Sequence, residues 1–515
     1  MGNKILVLDF GGQYNQLIAR RVREQHVFAE VVSYRSISVE KIKNEGYAGI
    51  IFTGGPNSVY DEASPHFDPA ILDAGIPILG ICYGHQLMAY MAGGEICSAG
   101  NISEYGKVIL KLKEDSFLTG QVPKESTVWM SHTDYVKTLP EGFRITGTTD
   151  SCPCAAMEWP EKKLYGVQFH PEVTHSEYGS TMLRNFIFDI CGCKADWRME
   201  NYLKESVNAI REEVGDGRVL LALSGGVDSS VCAALIAEAI GKKLTCVFVD
   251  HGMMRKNEGD EIEAAFSKWD VDFMRVDAGE QFLSALRGVT EPEKKRKIIG
   301  EEFIRVFEHV GRKIGSVDYL AQGTIYPDVI ESGLGDAAVI KSHHNVGGLP
   351  AHVDFKEIIE PLRLLFKDEV RQLGRELGLP DYLTSRQPFP GPGLGIRVIG
   401  EVTKEKLDIL READAIFREE VEKAASEGLL PQAASQYFAV LTDTRSVGVM
   451  GDARTYGYTL ALRSVTTDDF MTADWTRLPY EVLARAGSRI PNEVRSIGRV
   501  VYDITSKPPA TVEWE

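Results

Sequence analysis

Short continuous runs of apolar residues recur along this chain, and a turn rich in Gly or polar residues follows each run, then a segment of helical composition. Such runs are Ile5–Leu8, Ala48–Phe52, Ile76–Ile81, Val219–Leu223 and Thr245–His251. Short apolar runs with turn residues at both ends are typical of strands that are buried on both faces. Their alternation with helices predicts an α/β fold in which helices cover mostly parallel sheets.

The segment SGGVDSS joins the run Val219–Leu223 to an Ala-rich stretch, Val231–Ile240, that is predicted to be a helix. Free N–H groups at a helix start form an anion site together with small hydroxyl groups, and glycines let a phosphate approach the backbone. A carboxylate beside phosphate needs a cation between them, so Asp228 predicts Mg²⁺. The segment does not have the Gly-Lys-Ser/Thr ending of the Walker loop. The candidate phosphate-binding residues are Ser224, Gly225, Gly226, Val227, Asp228, Ser229 and Ser230.

SGGVDSS resembles the PP-loop of the ATP pyrophosphatases, which cleave ATP between its α and β phosphates and transfer AMP to an acceptor. The alternative is an ordinary Gly/Ser turn that enters a helix. With an ATP site at this position, Val249 in the neighbouring apolar run becomes the candidate contact for adenine. A plain sheet strand is compatible with the same residue. Lys367, which opens a predicted helix, is the candidate contact for the released pyrophosphate.

A second strand-to-helix junction contains a cysteine. The run Ile76–Ile81 leads into Cys82, and a helix is predicted from Leu87. Small residues two positions before and after Cys82 are typical of a nucleophile elbow, a sharp turn that exposes the nucleophile. The positive end of the helix would favour the reactive thiolate. The alternative is a buried structural cysteine.

His170 and Glu172 are the candidates for the base that serves this cysteine and for the group that orients the base. A cysteine nucleophile needs both. His170 follows a predicted apolar strand, and Pro171 stiffens the link, so both side chains can point the same way. The oxyanion of an acyl intermediate needs two backbone donors, for which the N–H groups of Tyr83 and Gly55 are candidates.

The motifs GICYGHQ, TGGP and VQFHPE resemble those of the class I (triad-type) glutamine amidotransferases. In that family a thiolate attacks the side-chain amide of glutamine, ammonia leaves, and water releases glutamate. The resemblance implies that Cys82, His170 and Glu172 form the catalytic triad. The glutamine-pocket residues that it implies are Gln86, His132 and Asp134.

Charge and cysteine content narrow the class of protein. The net charge of −17 disfavours a nucleic-acid partner. Eight cysteines in 515 residues indicate a reducing compartment with mostly buried thiols. The Cys-x-Cys pairs at residues 152–154 and 191–193 lack the spacing of a metal site. The sequence shows no signal peptide and no apolar run of membrane-spanning length, so we expect a cytoplasmic protein without membrane contact.

Composition shifts predict three domains: residues 1–194 and 195–389, each a doubly wound domain with a mostly parallel sheet, and residues 390–515, a smaller α+β domain. The Pro-rich segment 387–393 marks the second junction. In the last domain a helix is predicted over Lys404–Glu427, with strands over Gln436–Leu441 and Tyr458–Ser464. The apolar tail is expected to pack either on a second subunit or on its own chain.

Motifs along nearly the whole chain resemble one family. SGGVDSS, GTIYPDVIES, SHHNVGG, PFPGPGLG, RSVGVMGD and KPPATVEWE are similar to segments of the glutamine-hydrolysing GMP synthetases. The resemblance implies that ATP adenylylates xanthosine monophosphate (XMP), that ammonia from glutamine displaces AMP, and that the C-terminal domain binds XMP and forms a homodimer. The XMP contacts that it implies are Gln436, Lys507 and Glu513.

Other interpretations stay open at this point. Another glutamine-dependent PP-loop ligase, such as one that makes NAD or asparagine, would share the ATP site, and a regulator could keep the fold without catalysis. The basic run Glu291–Lys297 is predicted to be a loop, either a solvated face or a mobile lid over phosphates. His343 and His344 could mimic a metal site, but no third ligand follows at helical spacing.

Overall fold

The computed structural model describes residues 3–61, 63–98, 103–315, 317–333, 356–431, 433–450, 453–467 and 472–515. Its contacts divide the chain into two units, Met1–Tyr202 and Leu203–Glu515. The domain boundaries expected after residues 194 and 389 stay predictions. His343 and His344 lie outside the described residues.

The N-terminal unit alternates strands and helices and then continues as strands. Its elements are β1 (Lys4–Asp9), α1 (Asn15–Glu24), β2 (Phe28–Ser33), α2 (Val39–Glu45), β3 (Gly49–Phe52), β4 (Ile78–Ile81), α3 (Tyr83–Met91), β5 (Glu95–Ser98), β6 (Glu104–Leu112), β7 (Glu125–His132), β8 (Asp134–Thr138), β9 (Arg144–Thr148), β10 (Ala156–Trp159), β11 (Leu164–Val167) and α4 (Gly179–Arg184). A π-helical segment, Asn185–Ile190, continues α4. Helix α5 (Met199–Val214) contains the boundary between the units.

Nine of these strands form one sheet in the order β2-β1-β3-β4-β11-β10-β9-β6-β7, and β5 pairs with β8. The half from β2 to β11 is parallel, and the half from β11 to β7 is antiparallel. Strands β3, β4 and β11 are buried at every position, as their continuous apolar runs predict. The antiparallel half was not predicted, because its strands alternate exposed and buried positions and carry few continuous apolar runs.

The second unit begins with a parallel α/β layer. Its elements are β12 (Val219–Leu223), α6 (Val227–Ile240), β13 (Leu244–Asp250), α7 (Glu258–Phe266), β14 (Asp272–Asp277), α8 (Gly279–Ala285), α9 (Pro292–Ile314), β15 (Tyr319–Ala321), α10 (Tyr326–Gly333), β16 (Glu357–Ile359), α11 (Lys367–Glu376) and α12 (Asp381–Thr384). The five strands form one parallel sheet in the order β14-β13-β12-β15-β16. The predicted α/β class with parallel sheets is therefore confirmed.

The C-terminal part of this unit combines two helices with a small mixed sheet. Its elements are α13 (Lys404–Ser426), β17 (Gln436–Met450), β18 (Ala453–Thr466), β19 (Asp474–Trp475), α14 (Tyr480–Glu493) and β20 (Ile497–Asp503). Strand β18 pairs antiparallel with β17 and β19 and parallel with β20. The hairpin is longer than predicted because its outer half pairs through the backbone while Val447, Val449 and Tyr456 stay exposed to solvent.

Two local expectations are decided by the structure. The basic run Glu291–Lys297 is not a loop: Pro292 opens the long helix α9, at a position where proline is well tolerated, and Lys295 is fully buried. The C-terminal tail packs on its own chain, where Val512 lies against the cluster of Phe438, Val440 and Ala461. No helix in the described part of the chain has the length and apolar character needed to cross a membrane.

Candidate active sites

The turn at Cys82 is sharp and strained. Cys82 has φ 54° and ψ −106°, and it lies between the end of β4 and the first residue of α3. A Cβ atom on Gly84 would lie 2.5 Å from the carbonyl oxygen of Phe52, and one on Gly80 would lie 2.6 Å from the carbonyl oxygen of Gly84. The backbone N–H of Cys82 donates to Val167 at 2.8 Å. Only glycines fit beside this turn, which is the geometry of a nucleophile elbow.

The structure brings Cys82, His170 and Glu172 together. Nδ1 of His170 lies 2.7 Å from Oε1 of Glu172, and both side chains are buried. The Cys82 side chain hydrogen-bonds His170, and it does so at Nε2 because Nδ1 is occupied. Cys82 Sγ also lies 3.7 Å from the carbonyl oxygen of Ser131 and 3.8 Å from Nε2 of Gln168.

The charges in this group favour a protonated imidazole. Burial alone would lower the pKa of His170, but the Glu172 carboxylate and the Cys82 sulfur together hold that pKa well above its ordinary value. The ring of Tyr14 meets the His170 ring edge-on, with centroids 5.1 Å apart, and excludes water from that side. An imidazolium beside a cysteine sulfur is the charge arrangement of an activated thiol.

The two oxyanion candidates lie side by side. A Cβ atom on Gly55 would lie 2.7 Å from the ring of Tyr83, so this loop approaches α3 closely only because residue 55 is glycine. The N–H of Gly84 donates to the carbonyl oxygen of Thr53 at 3.0 Å and ties the same loop to the helix start. The Tyr83 N–H is among the first N–H groups of α3, which have no acceptor inside the helix.

The glutamine-pocket candidates meet at one backbone carbonyl. Nε2 of Gln86 donates to the Asp134 carbonyl oxygen at 2.7 Å, and Nδ1 of His132 lies 2.9 Å from the same oxygen. The Asp134 carboxylate accepts from the hydroxyl of Tyr60 at 3.2 Å. Nε2 of Gln86 also lies 3.2 Å from Oε1 of Gln168, so a chain of amides links this corner to Cys82. Gln168 was missed from sequence because glutamine carries no motif of its own outside VQFHPE.

The PP-loop forms the predicted junction of β12 and α6. Gly225 has φ 77°, and a Cβ atom there would lie 2.4 Å from Ile262, so the turn requires glycine. The hydroxyls of Ser224 and Ser229 lie 2.9 Å apart, and the N–H of Gly226 donates to the Ser224 hydroxyl at 3.3 Å. The Ser230 hydroxyl is buried, and none of the described residues hydrogen-bonds it.

Asp228 and Lys367 meet at this loop. Nζ of Lys367 lies 2.5 Å from Oδ2 of Asp228. The other oxygen, Oδ1, is buried and has no hydrogen-bond partner among the described residues. A free carboxylate oxygen next to a phosphate-binding loop is a suitable ligand for Mg²⁺, so the residues present fit the ion. Val249 lies at the end of the neighbouring strand β13 and is 7% exposed.

Two of the three XMP candidates are in contact. Nε2 of Gln436 donates to Oε1 of Glu513 at 3.1 Å, and Arg397 binds both oxygens of Glu513 at 2.7 and 3.0 Å. Lys507 pairs through its backbone with Ala473, at 2.7 and 3.0 Å. The Glu513 carboxylate is therefore already held inside the protein by two side chains.

Sequence reasoning missed a cluster of buried guanidinium groups beside Glu513. Burial, opposed by Asp414 and reinforced by other arginines, lowers the pKa of Arg255 to about 9, and burial together with Arg255 lowers that of Arg386 to about 9. In the described part of the chain, five buried nitrogen atoms here have no hydrogen-bond partner: Nε and Nη2 of Arg255, Nη1 of Arg397, Nε of Arg418 and Nε2 of Gln387. Arg386 donates to the carbonyl oxygen of Gly225, so the cluster borders the PP-loop. These residues are far apart in sequence, and only the fold assembles them.

Comparison with known proteins gives three family matches. The model of class I glutamine amidotransferases matches residues 6–190, that of NAD synthase matches residues 198–297, and that of the GMP synthase C-terminal domain matches residues 422–514.

Relatives similar to the whole chain carry one name. Proteins named GMP synthase [glutamine-hydrolyzing] from Acetivibrio thermocellus and Ruminiclostridium cellulolyticum are 64% and 63% identical over 512 residues, which is 99% of each chain. Among solved structures, a GMP synthase protein from Thermoplasma acidophilum is 31% identical, with a TM-score of 0.33, and covers 37% of this chain and 94% of its own.

Replacing Glu172 with glutamine is expected to lower the pKa of His170, so that the imidazole loses its proton at a lower pH than in the unmodified protein. The physical reason is that a neutral amide removes the negative charge that stabilises the imidazolium, a change of about one to three pKa units. The measurement is an NMR titration of ¹⁵N-labelled histidine, with the His170 signal assigned by its loss in His170→Asn.

Glu177→Gln is the matched control, because Glu177 accepts from the N–H of Thr127 on the same loop. It should leave the His170 titration unchanged. An unaltered His170 pKa in Glu172→Gln would contradict the assignment of Glu172 as the group that holds the imidazole.

Proposed function

The chain belongs to the glutamine-hydrolysing GMP synthases, a family of ATP-dependent ligases that take an amido nitrogen from glutamine, and on that premise we propose which of its residues carry each half of the reaction. The observation that supports the proposal is the presence in one chain of the Cys82–His170–Glu172 group and a PP-loop with its own acidic residue.

The first half releases ammonia. His170 takes the proton of the Cys82 thiol, Sγ attacks the side-chain amide carbon of glutamine, and the N–H groups of Tyr83 and Gly55 stabilise the oxyanion. His170 then gives the proton to the leaving ammonia, and water hydrolyses the thioester to glutamate. Glu172 keeps the imidazole oriented through the 2.7 Å contact.

Gln86, His132 and Asp134 take part in this half as the walls of the glutamine pocket. Their support is that Gln86 and His132 both bind the Asp134 carbonyl oxygen, which fixes the corner next to Cys82. Both side chains are already engaged by the protein, so they shape the pocket.

The second half activates the acceptor. The 2-oxo oxygen of XMP attacks the α phosphorus of ATP and pyrophosphate leaves, which converts a poor leaving group into AMP; ammonia then displaces AMP at C2. The hydroxyls of Ser224, Ser229 and Ser230 and the N–H groups at the start of α6 hold the phosphates. Lys367 neutralises the pyrophosphate, and Val249 lines the adenine side. Asp228 would hold Mg²⁺, which supplies charge neutralisation on the phosphates when it is bound.

The proposed XMP site is the region of Gln436, Glu513 and Lys507. Its support is the cluster of buried guanidinium groups, because an unpartnered buried cation is costly until it meets an anion such as a monophosphate. Glu513 would remain a structural anchor for Arg397, and Gln436 would hydrogen-bond the polar edge of the purine.

We also propose that the chain forms a homodimer through its C-terminal part. The outer half of the β17–β18 hairpin exposes Val447, Val449 and Tyr456 at 51, 73 and 66%. Apolar side chains that cluster on one exposed strand pair are typical of an interface between subunits.

A second acceptor is worth testing because the family model matching residues 198–297 is named NAD synthase. That model covers the ATP-binding part, which different PP-loop ligases share. The match to the GMP synthase C-terminal domain over residues 422–514 favours XMP, since the acceptor candidates Gln436, Lys507 and Glu513 all lie there.

Replacing Cys82 with alanine is expected to lower glutamine-dependent GMP synthesis by more than about a thousandfold, because the nucleophile is lost. Ammonia-dependent synthesis should be unchanged, since the PP-loop is untouched. The measurement is GMP formation with glutamine or with an ammonium salt, and Cys97→Ala is the matched control. Loss of both activities in a folded Cys82→Ala protein would contradict separate sites.

Replacing Asp228 with asparagine is expected to abolish synthesis with either nitrogen source, because the carboxylate that would hold Mg²⁺ and pairs with Lys367 is gone. Glutamine hydrolysis should persist. The measurements are AMP, pyrophosphate and glutamate formation, with the exposed Asp270→Asn as control. Synthesis at the unmodified rate in Asp228→Asn would rule out a role for this carboxylate.

A further inference from the structure

Three buried side chains behind the Cys82 site bring potential metal ligands together. Nε2 of His132, a carboxylate oxygen of Glu104 and Sγ of Cys152 all lie within 4.8 Å of one another. Glu104 and His132 face each other across β6 and β7, and Cys152 lies in the turn between β9 and β10. Their exposed fractions are 7, 6 and 1%, so the group is closed to bulk water.

The hydrogen bonds of His132 leave a position for a cation. Nδ1 lies 2.9 Å from the Asp134 carbonyl oxygen, which can only accept, so Nδ1 carries the proton. In the neutral tautomer Nε2 then presents a lone pair to Oε2 of Glu104, 3.2 Å away. Two acceptors face each other there, and a proton or a metal ion must lie between them. The hydroxyl of Thr149 donates to the other oxygen of Glu104 at 2.6 Å and fixes the carboxylate in this orientation.

Cys152 is oriented for the same position. Its N–H donates to the Thr149 hydroxyl at 2.8 Å, and the backbone N–H of Cys154 is directed at the Cys152 sulfur. Burial, and then the Glu104 carboxylate, raise the pKa of the Cys152 thiol to about 12, so a thiolate forms there only with a cation beside it. The N–H from Cys154 is the kind of outer contact that supports a metal-bound thiolate.

We propose that Glu104, His132 and Cys152 bind a transition-metal dication of the Zn²⁺ class. Tetrahedral zinc holds nitrogen and oxygen ligands at about 2.0–2.2 Å, which sets these two atoms roughly 3.3 Å apart, close to the observed 3.2 Å. One thiolate, one imidazole and one carboxylate suit Zn²⁺ and exclude Mg²⁺ and Ca²⁺, which require oxygen ligands. The thiol proton passes to solvent on binding, and the resulting centre is electrically neutral, which limits the cost of burying it.

The proposed centre adjoins the nucleophile. Ser131, whose carbonyl oxygen lies 3.7 Å from Cys82 Sγ, precedes His132, and Asp134 carries the carbonyl oxygen that binds Gln86. A metal ion on His132 would therefore hold the connection between β7 and β8 in the position that lines the glutamine pocket. The two Cys-x-Cys pairs gave no sign of this site, because its ligands come from three separate segments and only Cys152 of one pair takes part.

The test uses the full chain carrying Cys82→Ala, so that the catalytic thiol cannot bind metal. After removal of metals with a chelator, the protein is titrated with Co²⁺. The proposal expects one cobalt ion per chain with a thiolate-to-cobalt charge-transfer band, and displacement of cobalt by Zn²⁺. Adding Cys152→Ser should abolish the band and weaken binding by more than about a hundredfold, beyond the range typical of outer contacts.

Two further variants separate ligation from packing. Glu104→Gln, which keeps the shape of the side chain, should weaken cobalt binding by a similar factor, and Cys154→Ser, which alters the other buried cysteine of the same pair, should leave band and affinity unchanged. Circular dichroism checks that each variant is folded. No stoichiometric cobalt band, or a band that persists with Cys152→Ser, would overturn the proposal.

Discussion

The turn from β4 into α3 places backbone against backbone, and the geometry around the nucleophile depends on it. Gly84 lies so close to Phe52 that a single added carbon would reach the carbonyl oxygen at 2.5 Å. Cys82 consequently adopts φ 54°, a conformation that costs a non-glycine residue about 1–3 kcal/mol. The hydrogen bonds of Cys82 N–H to Val167 and of Gly84 N–H to Thr53 offset that cost and lock the sulfur in front of His170.

The second constraint is electrostatic. A chain with a net charge of −17 has to bind several anionic ligands, and the structure solves this locally with buried guanidinium groups around Arg255 and Arg397. Lys295 follows the same pattern: it is fully buried in α9 and pairs with Glu515 of the tail while donating to the carbonyl oxygen of Val398 at 2.8 Å. Local cation clusters replace an overall positive field.

Sequence reasoning predicted those features that short, local patterns encode. The parallel strands, the elbow at Cys82 and the loop at Ser224–Ser230 follow from apolar runs and glycine spacing, and the structure contains all three. The antiparallel half of the first sheet and the outer part of the β17–β18 hairpin were missed, because partly exposed strands carry a weak hydrophobic signal. Lys295 shows a different failure, since a basic run gives no sign that one of its lysines is buried. The arginine cluster and the Glu104–His132–Cys152 group join residues from distant segments, which spacing rules do not capture.

The central claim is that one chain couples glutamine hydrolysis to adenylylation of XMP. The most direct measurement incubates the protein with ATP, Mg²⁺ and glutamine, offers XMP, deamido-NAD, aspartate or no acceptor, and quantifies AMP, pyrophosphate and glutamate together. The account predicts that XMP alone gives all three products in equal amounts with GMP. Formation of AMP and pyrophosphate with another acceptor, and none with XMP, would contradict it.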